Sequence, residues 1–127
     1  GQGWMMGRDG QKRSFEQTES IHFKLDSTLL VVEGNGVSEG NPVHNALAII
    51  SYNKEEDRFD FRSYLADGRT GVYPAEMIDD RLHWYPRENI RYIIYLDEED
   101  KWYETGEIKM GENWMQFFEM TLEKEKE

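Results

Sequence analysis

"RSFEQTESIHFKL", residues 13–25, decides how the chain folds. Phe15, Ile21, Phe23 and Leu25 share one parity, so an extended strand would put them on one face. Gln17 and Glu19 fall on that parity too. Burying the face buries an amide and a carboxylate with it. A buried carboxylate has to pair, accept hydrogen bonds or take up a proton. Either the segment is not a strand, or its inner face borders something polar.

The same alternation recurs along the chain, which favours the strand. Segments of this kind run over Gly1–Gly7, Lys12–Leu25, Thr28–Gly36, Val43–Asn53 and Arg58–Ala66. They continue over Arg69–Ile78, Arg81–Tyr85, Asn89–Leu96, Lys101–Lys109 and Asn113–Lys124. Turn chemistry separates them: Asp9-Gly10, Gly34-Asn35-Gly36, Asp67-Gly68, Asp79-Asp80, the acidic run Asp97–Asp100 and Met110-Gly111. Ala75–Asp80 has room for one helical turn at most, and no amphipathic helix is expected. About ten strands joined by short turns imply an antiparallel meander, and ten strands tend to curl until closure removes the exposed edges. A sandwich needs longer crossing connections, and none here exceeds Val37–Pro42. The expected fold is all-β: a roughly ten-stranded antiparallel up-and-down β-barrel.

Composition limits the function classes. The 127 residues suit one domain over 1–127, with the charged tail 123–127 left in solvent. A net charge of −11 repels a phosphate backbone, so no nucleic-acid partner is expected. The absence of cysteine removes disulfides, thiolate metal sites and thiol nucleophiles. No run of 18 apolar residues exists to form a membrane-spanning helix, and no membrane partner is expected. A cytoplasmic location is expected, with secretion left open because the chain begins at Gly1 rather than at a methionine.

Parity assigns inner faces. Phe59, Phe61, Ser63 and Leu65 share one, Ile90, Tyr92, Ile94 and Leu96 another. Trp102, Glu104, Gly106 and Ile108 make a third, and Trp114, Gln116, Phe118, Met120 and Leu122 a fourth. The collected polar residues, Gln17, Glu19, Ser63, Tyr92, Glu104 and Gln116, sit poorly in a filled core. They suit a cavity with apolar walls and a few placed polar groups. Phe15, Phe61, Trp102, Trp114 and Phe118 are the expected walls. Gln17, Glu19, Tyr92, Glu104 and Gln116 are the expected anchors, and Arg62 offsets the carboxylates if its strand turns it inward. The partner would be a small, largely apolar molecule. Tyr95, Met115 and Phe117, on the opposite parity, leave room for a homodimer with an incidental cavity.

"GQGW", "FEQTE", "NALAIISYNKEEDRFDFRSYLADGR" and "WYETGEIKMGENWMQFFEMTL" together resemble bacterial lipocalin-like proteins of the calycin type. The resemblance covers residues 3–122 and implies an up-and-down barrel with a central cavity, but no established reaction. Such proteins begin with a short helix and a G.W.G.G strand. Only "GQGW" stands here, so the helix that closes one barrel mouth is expected to be absent or to have been removed. The fatty-acid-binding and haem-binding barrels are more distant relatives, and analogy with their ligands is at the level of fold alone.

Other chemistry finds less support. His22, His44 and His83 show no metal-binding spacing, and His22 has the outward parity. A related haem-binding barrel uses a late histidine, whereas Lys101–Lys124 has none, so neither haem nor a metal is expected. No G-x-S-x-G elbow or phosphate-binding glycine loop occurs, and the glycines at 34–40 read as hairpin glycines. Glu19 with Glu104 would serve as an acid–base pair if the chain were a small isomerase or hydrolase.

Overall fold

The computed structural model describes residues 1–7, 9–25, 28–99 and 101–122, with the backbone alone at 42–44. The tail 123–127, including the expected end of the last strand, lies outside the described residues. Ten strands follow one another: β1 (Gln2–Met6), β2 (Lys12–Lys24), β3 (Leu29–Ser38), β4 (Asn41–Asn53) and β5 (Arg58–Leu65). They continue as β6 (Thr70–Ile78), β7 (Arg81–Arg87), β8 (Ile90–Leu96), β9 (Trp102–Met110) and β10 (Asn113–Leu122). Sequential neighbours pair antiparallel, and β1 lies between β10 and β2 to close the barrel. The fold is the all-antiparallel, up-and-down ten-stranded barrel that the alternation predicts. Ala75–Ile78 belongs to β6 rather than to a helical turn.

The tightest hairpins use two-residue loops. Glu39 and Gly40 join Ser38 to its partner Asn41, both with positive φ (53° and 79°). Asp79 and Asp80 do the same between Ile78 and Arg81, at 51° and 64°. Positive φ at both central residues is the backbone whose twist matches that of the flanking strands. Tight loops of this kind leave no crossing connection and so keep the sheet a meander.

The glycines at 34 and 36 are not hairpin glycines. β3 runs through both, pairing Gly34 with Glu19 on one side and Ala46 on the other. A Cβ on Gly34 would stand 2.7 Å from Gln17 Nε2 and 3.3 Å from Glu19 Oε1, so the bare backbone makes room for the polar side chains of β2.

The interior is thinly filled. Of the seven buried apolar side chains among the described residues, six fall into two groups. Phe15, Met120 and Leu122 pack with Trp102 and Phe118. Ile50, Phe61 and Ala75 pack with neighbours that include Tyr73, Leu82 and Trp84. No large side chain among the described residues is fully enclosed. The chain exposes 9385 Å2, against about 7,100 Å2 for a compact protein of its mass. Few of the inward side chains are fully buried, and the barrel is hollow.

The opening stretch divides. Phe15 and Gln17 are buried, whereas Phe23 and Leu25 are 65% and 71% exposed. β1 pairs only with the start of β2, Lys12 to Glu16, so the later half of β2 extends past the two-sided part of the sheet.

Candidate functional site: a hollow with two inward carboxyls

A cavity of about 650 Å3 occupies the barrel. Exposed Met5, Arg69 and Arg87 mark its mouth, and buried Phe15, Gln17, Ile50, Ile94 and Met120 its depth. A second hollow of about 510 Å3 lies beyond Ile50, Ile94 and Trp102, which border both, and Phe23, Phe59 and Met77 help to line it.

One wall of the larger cavity is a stack of three rings. Phe61 from β5 lies against Trp84 from β7 with centroids 3.9 Å apart and planes 4° apart. Tyr92 from β8 covers the other face of Trp84 at 4.7 Å and 14°. Phe118 meets Tyr92 edge-on at 5.7 Å and stacks on Phe15 at 5.6 Å, carrying the aromatic wall round to β2. Gly106 permits this crowding, because a Cβ there would stand 2.9 Å from both Tyr92 and Phe118.

The polar side of the cavity comes from β2 and β9. Gln17 is only 3% exposed, and its amide donates to Glu19 Oε1 over a long 3.4 Å. Glu19 Oε2 is buried without a protein partner, as is Trp84 Nε1. Trp102 Nε1 donates to Glu104 Oε1, again at 3.4 Å. Such long bonds give little compensation for removing a carboxylate from bulk water. Burial therefore pushes Glu19 up to about 7, against weaker downward pulls from the Gln17 amide and the Gly1 amino group. Burial and then the charge of Glu19 push Glu104 up to about 8. Tyr92 is driven to about 12 by burial and by the charge of Glu104, so its hydroxyl keeps its proton. The two carboxyls thus sense each other inside one enclosed space and titrate near neutrality.

Comparison with known protein families and with curated proteins finds no match for this chain.

Of the residues expected from sequence, Phe15, Gln17, Glu19, Phe61, Tyr92, Trp102, Glu104 and Phe118 come together around the cavity. Trp114 and Gln116 do not, and their inward assignment is corrected by one β-bulge. Gln116 pairs with Glu107, but Phe118 pairs with Gly106, so Phe117 is an extra residue in β10. An extra residue reverses strand parity. Beyond it Trp114 lies opposite Lys109 on the outer wall, with the Arg91 guanidinium 4.0 Å from its ring centre. Gln116 is exposed and donates to Phe118 O at 3.2 Å. Arg62 is also on the outer wall, 3.9 Å from Asp60, which is 5% exposed and held as well by Asn53 and Arg58. Arg91 points outward to Glu107 at 2.7 Å. Among the described residues no basic side chain reaches the carboxyl pair.

The outer patch expected from Tyr95, Met115 and Phe117 is not assembled. Phe117 turns edge-on to Tyr92 at 5.8 Å, Tyr95 lies beneath the Arg81 guanidinium, and Met115 shares the parity of Ile108 across β9. His22 is exposed and bonded to Ser20, the His44 side chain lies outside the described residues, and His83 is half-buried on the outer parity. No group of three metal-ligating side chains occurs among the described residues. Trp84, Arg69 and Arg87 line the cavity without any signal from the alternation. Trp84 sits in a short strand whose pairing slips by one residue before Arg87, which hides its parity. The arginines stand at strand ends, where alternation carries no signal.

Proposed function

We propose that this chain is a lipocalin-like barrel of the calycin type that binds a small, largely apolar molecule in its larger cavity. The observation that carries this reading is the pairing of a hollow of about 650 Å3 with an aromatic wall and a few inward polar groups. Ligand sites have that size and composition. A barrel selected only to pack would fill the space, since voids forfeit dispersion contacts. Phe15, Phe61, Trp102 and Phe118 supply wall. Gln17, Glu19, Tyr92 and Glu104 supply anchors, and Arg62, Trp114 and Gln116 take no part.

Native mass spectrometry of the full chain with neutral apolar molecules of graded size tests the reading. One molecule should bind per chain, and binding should fall away once the molecule outgrows the cavity. No one-to-one complex at any size, or loose multiple binding without a size limit, contradicts it.

One observation favours a second reading, a proton-transferring enzyme. Glu19 at about 7 and Glu104 at about 8 lie where acid–base groups work best. Turnover of a bound ester or enone by the wild-type protein and not by Glu104→Gln would establish it.

A further inference from the structure

The carboxyl pair bears on the chemical class of the ligand, and its role as an anchor rests on the cavity-binding reading above. We infer that the larger cavity takes an apolar molecule carrying a basic amine, with its ammonium group held by Glu19 and Glu104 and its apolar body against the Phe61–Trp84–Tyr92 stack.

Two carboxyls face one enclosed space, and among the described residues no basic side chain pairs with either. The arginines that neighbour the barrel wall are committed elsewhere: Arg62 and Arg58 to Asp60, Arg91 to Glu107. Of the two arginines lining the cavity, both at its mouth, Arg69 is bonded to Asp67 at 2.7 Å. The other groups facing the pair are the Gln17 amide, the Trp102 indole and the Tyr92 hydroxyl, and the Gly1 amino group is bonded to Gln17 O. Of these only the Gly1 amino group carries a full positive charge, and its pull on Glu19 is weaker than the effect of burial. Among the described residues Glu19 Oε2 has no hydrogen-bond partner.

Three kinds of ligand meet this site differently. A neutral molecule leaves the pair to hold its protons. An anion is repelled by any charge on the pair and by a chain whose net charge is −11. An ammonium ion takes the place of those protons, and beside carboxyls withdrawn from bulk water its attraction is stronger than in bulk. Rings also attract cations, and aromatic side chains line the same cavity as the acids. A divalent metal ion fits less well, because two carboxyls lack the third charged or imidazole ligand that would complete a set.

The test is calorimetric titration at pH 8 of the full chain with three probes of one shape: 1-naphthylmethylamine, 1-naphthylmethanol and 1-naphthoic acid. The amine should bind about tenfold or more tightly than the alcohol, and the acid more weakly than either. In Glu19→Gln/Glu104→Gln the amine should lose its advantage and bind no more tightly than the alcohol does to the same variant. Repeating the amine titration at pH 7 in two buffers of different ionisation heat should show proton release, absent for the alcohol. Glu104→Gln alone, checked for cooperative melting, provides a milder variant should the double one fold poorly. An alcohol that binds as well as the amine in the wild-type protein overturns the inference and leaves the cavity reading standing. An amine advantage that survives in the variants also overturns it. Binding of none of the three overturns both.

Discussion

Glu19 and Glu104 tie stability to pH as well as shaping the cavity. Both hold their protons more tightly in the folded chain than an ordinary carboxyl does, at about 7 and about 8. The folded state therefore binds more protons than the unfolded one between the ordinary value of 4.5 and those values. That stabilisation is whole below 4.5 and is lost as pH rises through about 7 and about 8. Relative to Glu19→Gln/Glu104→Gln, the wild-type melting temperature should fall by roughly 5–10 °C between about pH 5.5 and 8.5. Using the difference between the two proteins removes the opposing contribution of His83, whose burial lowers its pKa. Parallel pH profiles for both proteins would show that the carboxyls are not held in the hollow. Trp114 makes the complementary case. It lies under Arg91 on the outer wall, so Trp114→Ala should cost on the order of 1 kcal/mol of stability and leave the affinity of a cavity ligand unchanged. A loss of affinity alone would return Trp114 to the interior.

Strands are legible in the sequence because alternation and turn chemistry are local. Each expected segment overlaps one strand, and Asp79-Asp80 and Gly111 sit in the tight turns they predict, but β3 runs on to Ser38, β4 starts at Asn41 and β7 ends at Arg87. What stays hidden is the pairing between strands. The bulge at Phe117 comes from β10 carrying one residue more than β9 opposite it, and no residue in "WMQFFEM" announces that count. It reverses Trp114 and Gln116 while leaving Phe118 and Met120 inward, as expected. Gly34 misleads for a related reason. A glycine chosen for close side-chain approach inside a strand looks, from sequence, like one chosen for a turn. The residues of β2, β8 and β9 that form the polar spot lie in regular stretches, which is why parity picks out Gln17, Glu19, Tyr92 and Glu104. The Asp79-Asp80 turn offers a test at this scale. Both residues adopt positive φ, a conformation that Asn and Gly accept more readily than Asp. Replacing the pair by Asn-Gly should raise stability by about 0.5–1 kcal/mol in chemical denaturation, and a loss would show that this hairpin is not the two-residue turn described.

The whole molecule is a closed sheet that spends its interior on space. Closure by β1 satisfies the edges of β10 and of the first half of β2, and short hairpins hold the meander together. The buried residues Phe15, Ile50, Phe61, Ile94 and Met120 pack around the hollow instead of filling it. Ala48 lies on the cavity wall among Ile50, Phe61 and Ala75, so a large ring placed there would project into the space with no strand edge or hairpin disturbed. The central claim is that this space receives a ligand. Titration of the neutral apolar fluorophore N-phenyl-1-naphthylamine into the wild-type chain and into Ala48→Trp tests it most directly. Saturable one-to-one binding with a blue-shifted emission in the wild-type protein, weakened about tenfold or more in a folded Ala48→Trp, is the predicted result. Equal binding by the two proteins, or no saturable binding by either, would contradict it.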